Sequence, residues 1–368
     1  MQGKKAEWLK FYWLIFCLIS GLSSYATHYR AGEIIYTLIS PLTYEVQVIT
    51  YTKFSGVSAS ADRDSIDISW GDGTSELISR VNGVDADGDG VPEDEVIFDD
   101  IKQNIYRGRH QYPGIRPFYV ISILVPNRID NIINISGGAS VNVPFYIEDT
   151  LKFFDIPSLG YNNSPVLLNP PIDFANINDT FYHNPSAYDM DGDSLFFRLI
   201  PPKQNVLSAV PAYQYPNQII PGANNRFNIN SATGELLWGT PQRVGIYNIA
   251  ILVEEYRNSI LLGTLIRDMQ IIVNDYPNDP PQIDDVRDTC IIAGTKLGVI
   301  IRATDPQLSQ TVSMRATGGP FEVAFNPATF FGISGNAAYD TFYWNTDCSH
   351  IRPQFYSVVI NASDNFSD

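Results

Sequence analysis

Histidine and cysteine are scarce in this 368-residue chain, with four of the first and three of the second. The histidines stand far apart at 28, 110, 183 and 350, so no zinc-spaced pair occurs. The chain also has no Gly-x-Ser-x-Gly elbow and no phosphate-cradling glycine loop. Charged residues make up only 17% of the chain, and no stretch keeps a helical period, which excludes a helical bundle. Basic residues are outnumbered 24 to 40, giving a net charge of −16. An anionic surface of that kind argues against nucleic acid and against anionic membranes as partners. Beyond the N-terminus no apolar run reaches the roughly 20 residues a spanning helix needs. Paired carboxylates exist, but in turn-like acidic loops without the apolar pocket that raises an acid's pKa. A non-enzymatic protein is the expectation.

The N-terminus does carry a signal. Lys4, Lys5 and Lys10 precede an apolar run from Phe11 to Ile19, and Ser24-Tyr25-Ala26 supplies the small residues of a cleavage site. Residues 1–26 therefore read as a signal peptide, with an N-terminal membrane anchor as the alternative. Removing its three lysines and one glutamate takes the net charge from −16 to −18. Cys17 leaves with it, so Cys290 and Cys348 remain. Two thiols in an exported chain predict one disulfide, against two buried free thiols.

Aromatic residues, glycine and proline are plentiful: 21 Tyr, 20 Phe, 26 Gly and 24 Pro. Short strands and many turns follow from that mixture. Residues 31–38 and 44–51 read as a hairpin bent at Ser40-Pro41. Ile66-Asp67-Ile68-Ser69-Trp70 alternates strictly and ends at Gly71-Asp72-Gly73, and Phe118 to Val125 alternates again after His110-Gln111-Tyr112-Pro113-Gly114. A parallel arrangement recurs later: Thr233-Gly234-Glu235-Leu236-Leu237-Trp238, then Gly245 to Val253. Each pairs a tryptophan beside a glycine turn with a later glycine, an aromatic and an alternating strand. Such a pattern closes an immunoglobulin-like sandwich. Trp70 and Trp238 read as core plugs rather than sugar platforms. Asp72 reads as a turn residue, and His110 as packing at a sheet edge.

The fold class expected is all-β, as tandem immunoglobulin-like β-sandwiches. Residues 27–150 form the first, with an acidic insertion, and 151–276 the second. Asn278-Asp279-Pro280-Pro281 breaks the pairing, because proline removes ladder donors. The third occupies 277–368 and stops where another strand should follow, which reads as a truncated repeat.

One acidic loop has the residue types and spacing that bind a hard cation. Asp85, Asp87 and Asp89 alternate on a loop kinked by Gly88 and Gly90, like the first six positions of an EF-hand. Val96 stands where the bidentate glutamate belongs, so Glu93 or Glu95 would substitute. The plainer alternative is a solvated acidic turn.

The first region resembles a PKD domain through Trp70, Gly71, Asp72, Gly73 and Thr74, then His110, Tyr112, Gly114, Tyr119, Val120 and Asn127. It departs from that family in its acidic insertion and in Ile115-Arg116-Pro117. The second resembles the cadherin-like or dystroglycan-type repeat through Asp189 to Leu195 and Phe227 to Val253, and the 278–281 stretch is similar to a cadherin linker. That likeness implies calcium at Asp189, Asp191 and Asp193 near a domain junction, with Asp275, Asp279 and Asp305 as junction partners. The same aspartates could instead only shape a tight turn. The opening Thr27-His28-Tyr29-Arg30-Ala31-Gly32-Glu33-Ile34 and the module order resemble the front part of large Bacteroidetes gliding-motility-associated surface proteins, which leave through type IX secretion. No sorting domain of that family is present.

Together these features predict a secreted or outer-membrane-associated protein at the cell surface. Its role would be structural or adhesive, with Ca²⁺ rigidifying its loops and a surface glycan or protein as partner. The alternative is a carbohydrate-binding accessory segment of a larger secreted hydrolase, for which an exposed row of tyrosines or tryptophans on one sheet face would speak.

Overall fold

The computed structural model describes residues 29–53, 63–83, 96–98, 100–153 and 156–366. The predicted signal peptide at 1–26 and the acidic insertion carrying Asp85, Asp87, Asp89, Glu93 and Glu95 lie outside the described residues. The predicted hairpin forms from β1 (Tyr29–Ser40) and β2 (Thr43–Lys53), in a register that sets Leu38 opposite Tyr44 and Ile34 opposite Val48. Its tight turn places Leu42 at φ 62°. Six more strands follow in the first region: β3 (Ser65–Ser69), β4 (Ser75–Arg80), β5 (Val96–Phe98), β6 (Ile101–Gln111), β7 (Tyr119–Val125) and β8 (Phe145–Leu151). Because side chains alternate across a strand, Ile66, Ile68 and Trp70 turn inward with Ile121, Ile123 and Val125 to build one core. Trp70 is fully buried there, as expected. Each such large side chain removed from water contributes roughly 1.5–3 kcal/mol.

The second region contributes β9 (Val166–Leu167), β10 (Ile172–Asn176), β11 (Phe181–His183), β12 (Ala187–Tyr188), β13 (Ser194–Ile200), β14 (Lys203–Asn205), β15 (Ser208–Ala209), β16 (Phe227–Ile229), β17 (Leu236–Trp238), β18 (Gly245–Arg257) and β19 (Ile260–Asn274). Its core gathers Ile249, Ile251 and Val253 from β18 and Leu265, Met269 and Ile271 from β19 around Trp238. The Trp238 indole N–H donates to Asn225 Oδ1 at 2.6 Å, so the plug is also polar-satisfied. The third region holds β20 (Gln282–Ile283), β21 (Lys296–Thr304), β22 (Ser313–Gly318), β23 (Ala337–Asn345) and β24 (Val358–Ser363). Here β20, β21 and β23 make one antiparallel sheet and β22 and β24 the other. The chain is thus all-β, as tandem immunoglobulin-like sandwiches.

The first two sandwiches are knitted into one twelve-stranded sheet. Strand β19 pairs along its length with β18, over Gly263–Leu265 with β8, at Asp268 with β1, and over Gln270–Asn274 with β10. The division drawn after residue 150 falls inside β8, where this ladder crosses from one sandwich to the next. A buried polar seam runs beside the junction. Arg267 grips Glu33 with Nε and with Nη2 (2.7 Å to Oε1), while its remaining N–H groups donate to the carbonyls of Asn169 (2.5 Å) and Leu167 (3.0 Å). Arg128 meets Asp268 at 2.7 Å, and Asn248 donates to the same carboxylate at 2.6 Å.

The predicted disulfide is corrected by the structure: Cys290 and Cys348 are free and exposed. The ladder between β21 and β23 ends at Lys296 opposite Asn345. A turn closed by Thr295 N–H to the Ile292 carbonyl then separates Cys290 from it, while Cys348 opens a single helical turn. Neighbouring strands bring the two segments together, but a disulfide also needs the two Cα atoms within about 7 Å and their Cβ atoms turned toward each other.

Candidate functional site

Asp189 to Asp193 form the turn between β12 and β13. Gly192 sits at φ 81°, a conformation glycine adopts at no steric cost, and the Asp193 N–H donates to Asp189 Oδ1 at 2.7 Å. The turn folds back over the end of β18. Along that strand Ile249, Ile251 and Val253 point into the core, and Glu255 continues the same inward phase. Oxygens of Asp189, Asp193 and Glu255 come within 4.8 Å of one another, and all three side chains are buried.

The surrounding groups come from separate parts of the chain. Arg257 forks onto Asp193, with Nε to Oδ1 at 2.7 Å and Nη2 to Oδ2 at 2.5 Å, and also donates to Asn162 Oδ1 at 3.0 Å. Asn162 in turn donates to Glu255 Oε2 at 2.5 Å and lies 3.4 Å from the Tyr36 hydroxyl of the first sandwich. From the third region, Arg352 donates to the Asp189 carbonyl at 3.1 Å while lying 5.4 Å from the centre of the Tyr188 ring and 4.3 Å from that of Tyr356. The hydrogen-bonded network around the acidic turn therefore reaches all three sandwiches, the first of them through Asn162.

Three carboxylates and one guanidinium leave an excess of negative charge. Arg257 serves Asp193, but Asp189 Oδ2 and Glu255 Oε1 are buried without a donor. Burial pushes Glu255 well above its usual range, and the adjacent Asp189 carboxyl pushes it further. Burial raises Asp189 likewise. The hydrogen bonds it donates to the Asp193 carboxylate hold the Arg257 guanidinium above its ordinary value. Two unpaired oxygens, hard and facing one another, can be satisfied by one shared proton or by a cation such as Ca²⁺.

Of the aspartates singled out in the sequence, Asp189 and Asp193 come together here. Asp191 turns outward and accepts from the Asn163 backbone N–H at 2.9 Å and side-chain amide at 3.0 Å. Asp279 of the linker and Asp305, just after β21, both accept from Gln307 instead, from its side-chain amide and its backbone N–H respectively. Asp72 accepts from the Thr74 N–H at 2.9 Å, as a turn residue should, and meets His110 Nε2 at 2.8 Å; the His110 ring stacks on Trp70. Glu255, Arg257 and Asn162 were missed. The available signal was Glu255 itself, an acid in the inward phase of an otherwise apolar strand.

Among the described residues no helix is long and apolar enough to cross a membrane. No family model matches the chain, and no curated protein does. Among solved structures, the chain is similar to the N-terminal eight Ig domains of Down Syndrome Cell Adhesion Molecule isoform 1.30.30, with 9% identity over 90% of this chain and a TM-score of 0.18. It spans 42% of that chain's length. It is likewise similar to the N-terminal four Ig domains of Dscam1 isoform 6.44, at 10% identity over 91% of this chain and 71% of that one, with a TM-score of 0.17. Superpositions this loose carry no functional argument, so the architecture rests on the chain's own strands and cores.

Proposed function

We propose that the chain is an exported, non-enzymatic surface protein whose work is mechanical and adhesive, of the gliding-motility-associated kind its opening motif resembles. The observation that carries this reading is β19, which belongs to two sandwiches at once. Modules joined only by a linker hinge freely. Modules sharing a hydrogen-bonded strand transmit force without hinging, and that suits a spacer that holds a distance from a surface. Pulling the chain from its ends tests this: residues 29–274 should unfold in one cooperative step, and two separate steps would overturn it.

Calcium belongs to the same proposal. Asp189, Asp193 and Glu255 supply hard oxygen donors, two of them buried without a partner, which is what an ion of this type requires. Bound there, Ca²⁺ would supply positive charge and tie the acidic turn to β18. It would stabilise the folded form by mass action. Adding Ca²⁺ should raise the melting temperature. Glu255→Gln should remove that part of the rise which does not come from the loop at 85–95. A Glu255→Gln protein with the full wild-type response would show that the ion does not sit here.

A further inference from the structure

The third sandwich carries an outward sheet face with two exposed tyrosines. Register across β21 and β23 sets Gly298 opposite Tyr343, Ile300 opposite Thr341 and Arg302 opposite Tyr339. These six point away from the core, because their neighbours Ile301, Ala303, Ala338, Phe342 and Trp344 point into it. Tyr339 is 58% exposed, Tyr343 37% and Ile300 60%. Phe331, 85% exposed, follows two residues after Thr329, which bridges Tyr343 on the other side of β23. Gly298 leaves a shallow step in this face: a side chain there would meet Thr341 Cγ2 at 3.7 Å and Tyr343 Cδ2 at 4.0 Å. Tyr339 and Tyr343 are four residues apart on one strand, or about 13 Å.

Charge gives the patch its second property. Lys296 and Arg302 stand at the two ends of β21, and neither forms an ion pair among the described residues, in a chain of net charge −16. Asp340 is occupied by the backbone amides of Phe331 and Gly332. Asp284 lies across from Arg302, where its N–H donates to the Arg302 carbonyl, without an ion pair to the guanidinium.

We propose that this face binds an acidic polysaccharide, with Tyr339 and Tyr343 packing against sugar rings and Lys296 and Arg302 meeting the carboxylates. The negative face of an aromatic ring attracts the weakly positive C–H groups of a pyranose, so an exposed tyrosine row suits a sugar chain lying along the strand. A purely apolar partner would bury both cations unpaired, at a cost. A second copy packed face to face would bring the same two cations toward each other. A polyuronate offers C–H faces and anions in one ligand. At physiological salt the Debye length of about 8 Å keeps the chain's overall negative field from dominating at this site. The inference deepens the adhesive part of the proposed function and is independent of the shared strand and of calcium.

Affinity electrophoresis of the full chain in polygalacturonate, with chelator present to exclude calcium bridging, tests it. Retardation is expected, weakened more than about tenfold by Tyr339→Ala with Tyr343→Ala. Arg302→Ala with Lys296→Ala should weaken binding and flatten its salt dependence. All four positions are exposed, so unchanged melting curves would certify the variants as folded. No retardation, equal retardation by neutral laminarin, or unaltered binding by the tyrosine variant would overturn the proposal. So would a concentration-dependent dimer in light scattering that the tyrosine variant abolishes, since the face would then be a self-association surface.

Discussion

Glu33 on β1 and Arg267 on β19 lie 234 positions apart in sequence, yet form a fully buried pair across the boundary between two sandwiches. Taking one partner away leaves the other charged and dry. Arg267→Met should therefore destabilise the chain by about 3–5 kcal/mol, whereas the double variant with Glu33→Met should recover most of that loss. Urea denaturation of the single and double variants checks it, with an unchanged slope confirming that the unfolding step is the same. If the single variant loses nothing, the pair does not hold the junction.

The two glycines of the Trp70-Gly71-Asp72-Gly73 turn differ in what surrounds them. Both have positive φ, 81° and 102°. A Cβ on Gly71 would come within 2.5 Å of the Val120 backbone nitrogen, whereas one on Gly73 would meet nothing within 4 Å. Gly71→Ala should thus cost well over the ~1 kcal/mol that an unfavourable φ alone imposes, and Gly73→Ala should stay near that figure. Thermal melts of the two variants side by side decide the order.

Asp149 supplies a pH dependence. It lies in β8 between Ile121 of β7 and Leu265 of β19, its Oδ2 has no donor, and burial holds its carboxyl well above the usual carboxylate range. A raised folded-state pKa means the native protein keeps a proton that the unfolded chain gives up. The contribution is full below the unfolded value near 3.9 and is lost as pH rises toward the folded one. Asp149→Asn mimics the protonated form, so its stability relative to wild type should climb from about pH 4 toward neutrality, by up to ~1.4 kcal/mol per pH unit. Parallel stability curves for the two proteins would refute this.

Cys290 and Cys348 should both react with a thiol reagent in a folded protein prepared without residues 1–26, and reductant should leave the melting temperature unchanged. A structural disulfide would instead cost about 2–5 kcal/mol on reduction.

Period-two alternation made the strands and both tryptophan plugs legible in the sequence. The hairpin of β1 and β2 and the turn at Asp72 followed from residues adjacent in the chain. The crossing of β19 from one sandwich into the next was not legible, because ladder partners are chosen by which sheet edges meet in space. Glu33 and Arg267 each read locally as a charge in a largely apolar strand, and only the fold makes them a pair. At the acidic turn the spacing of Asp189 and Asp193 suggested convergence, but Glu255 and Arg257 arrive from a strand 62 and more residues away. The tyrosines at 339 and 343 were visible, while their shared outward face depended on the register with β21.

Strand β19 also decides where the protein can be cut. A fragment ending at residue 150 would present β8 and β1 with open edges, their ladder groups unpaired and ready to join another chain. Such a fragment should aggregate on expression, and the shortest soluble piece containing the first sandwich should run through Asn274. In a gene this pair of sandwiches would therefore be inherited, duplicated or lost as a single unit.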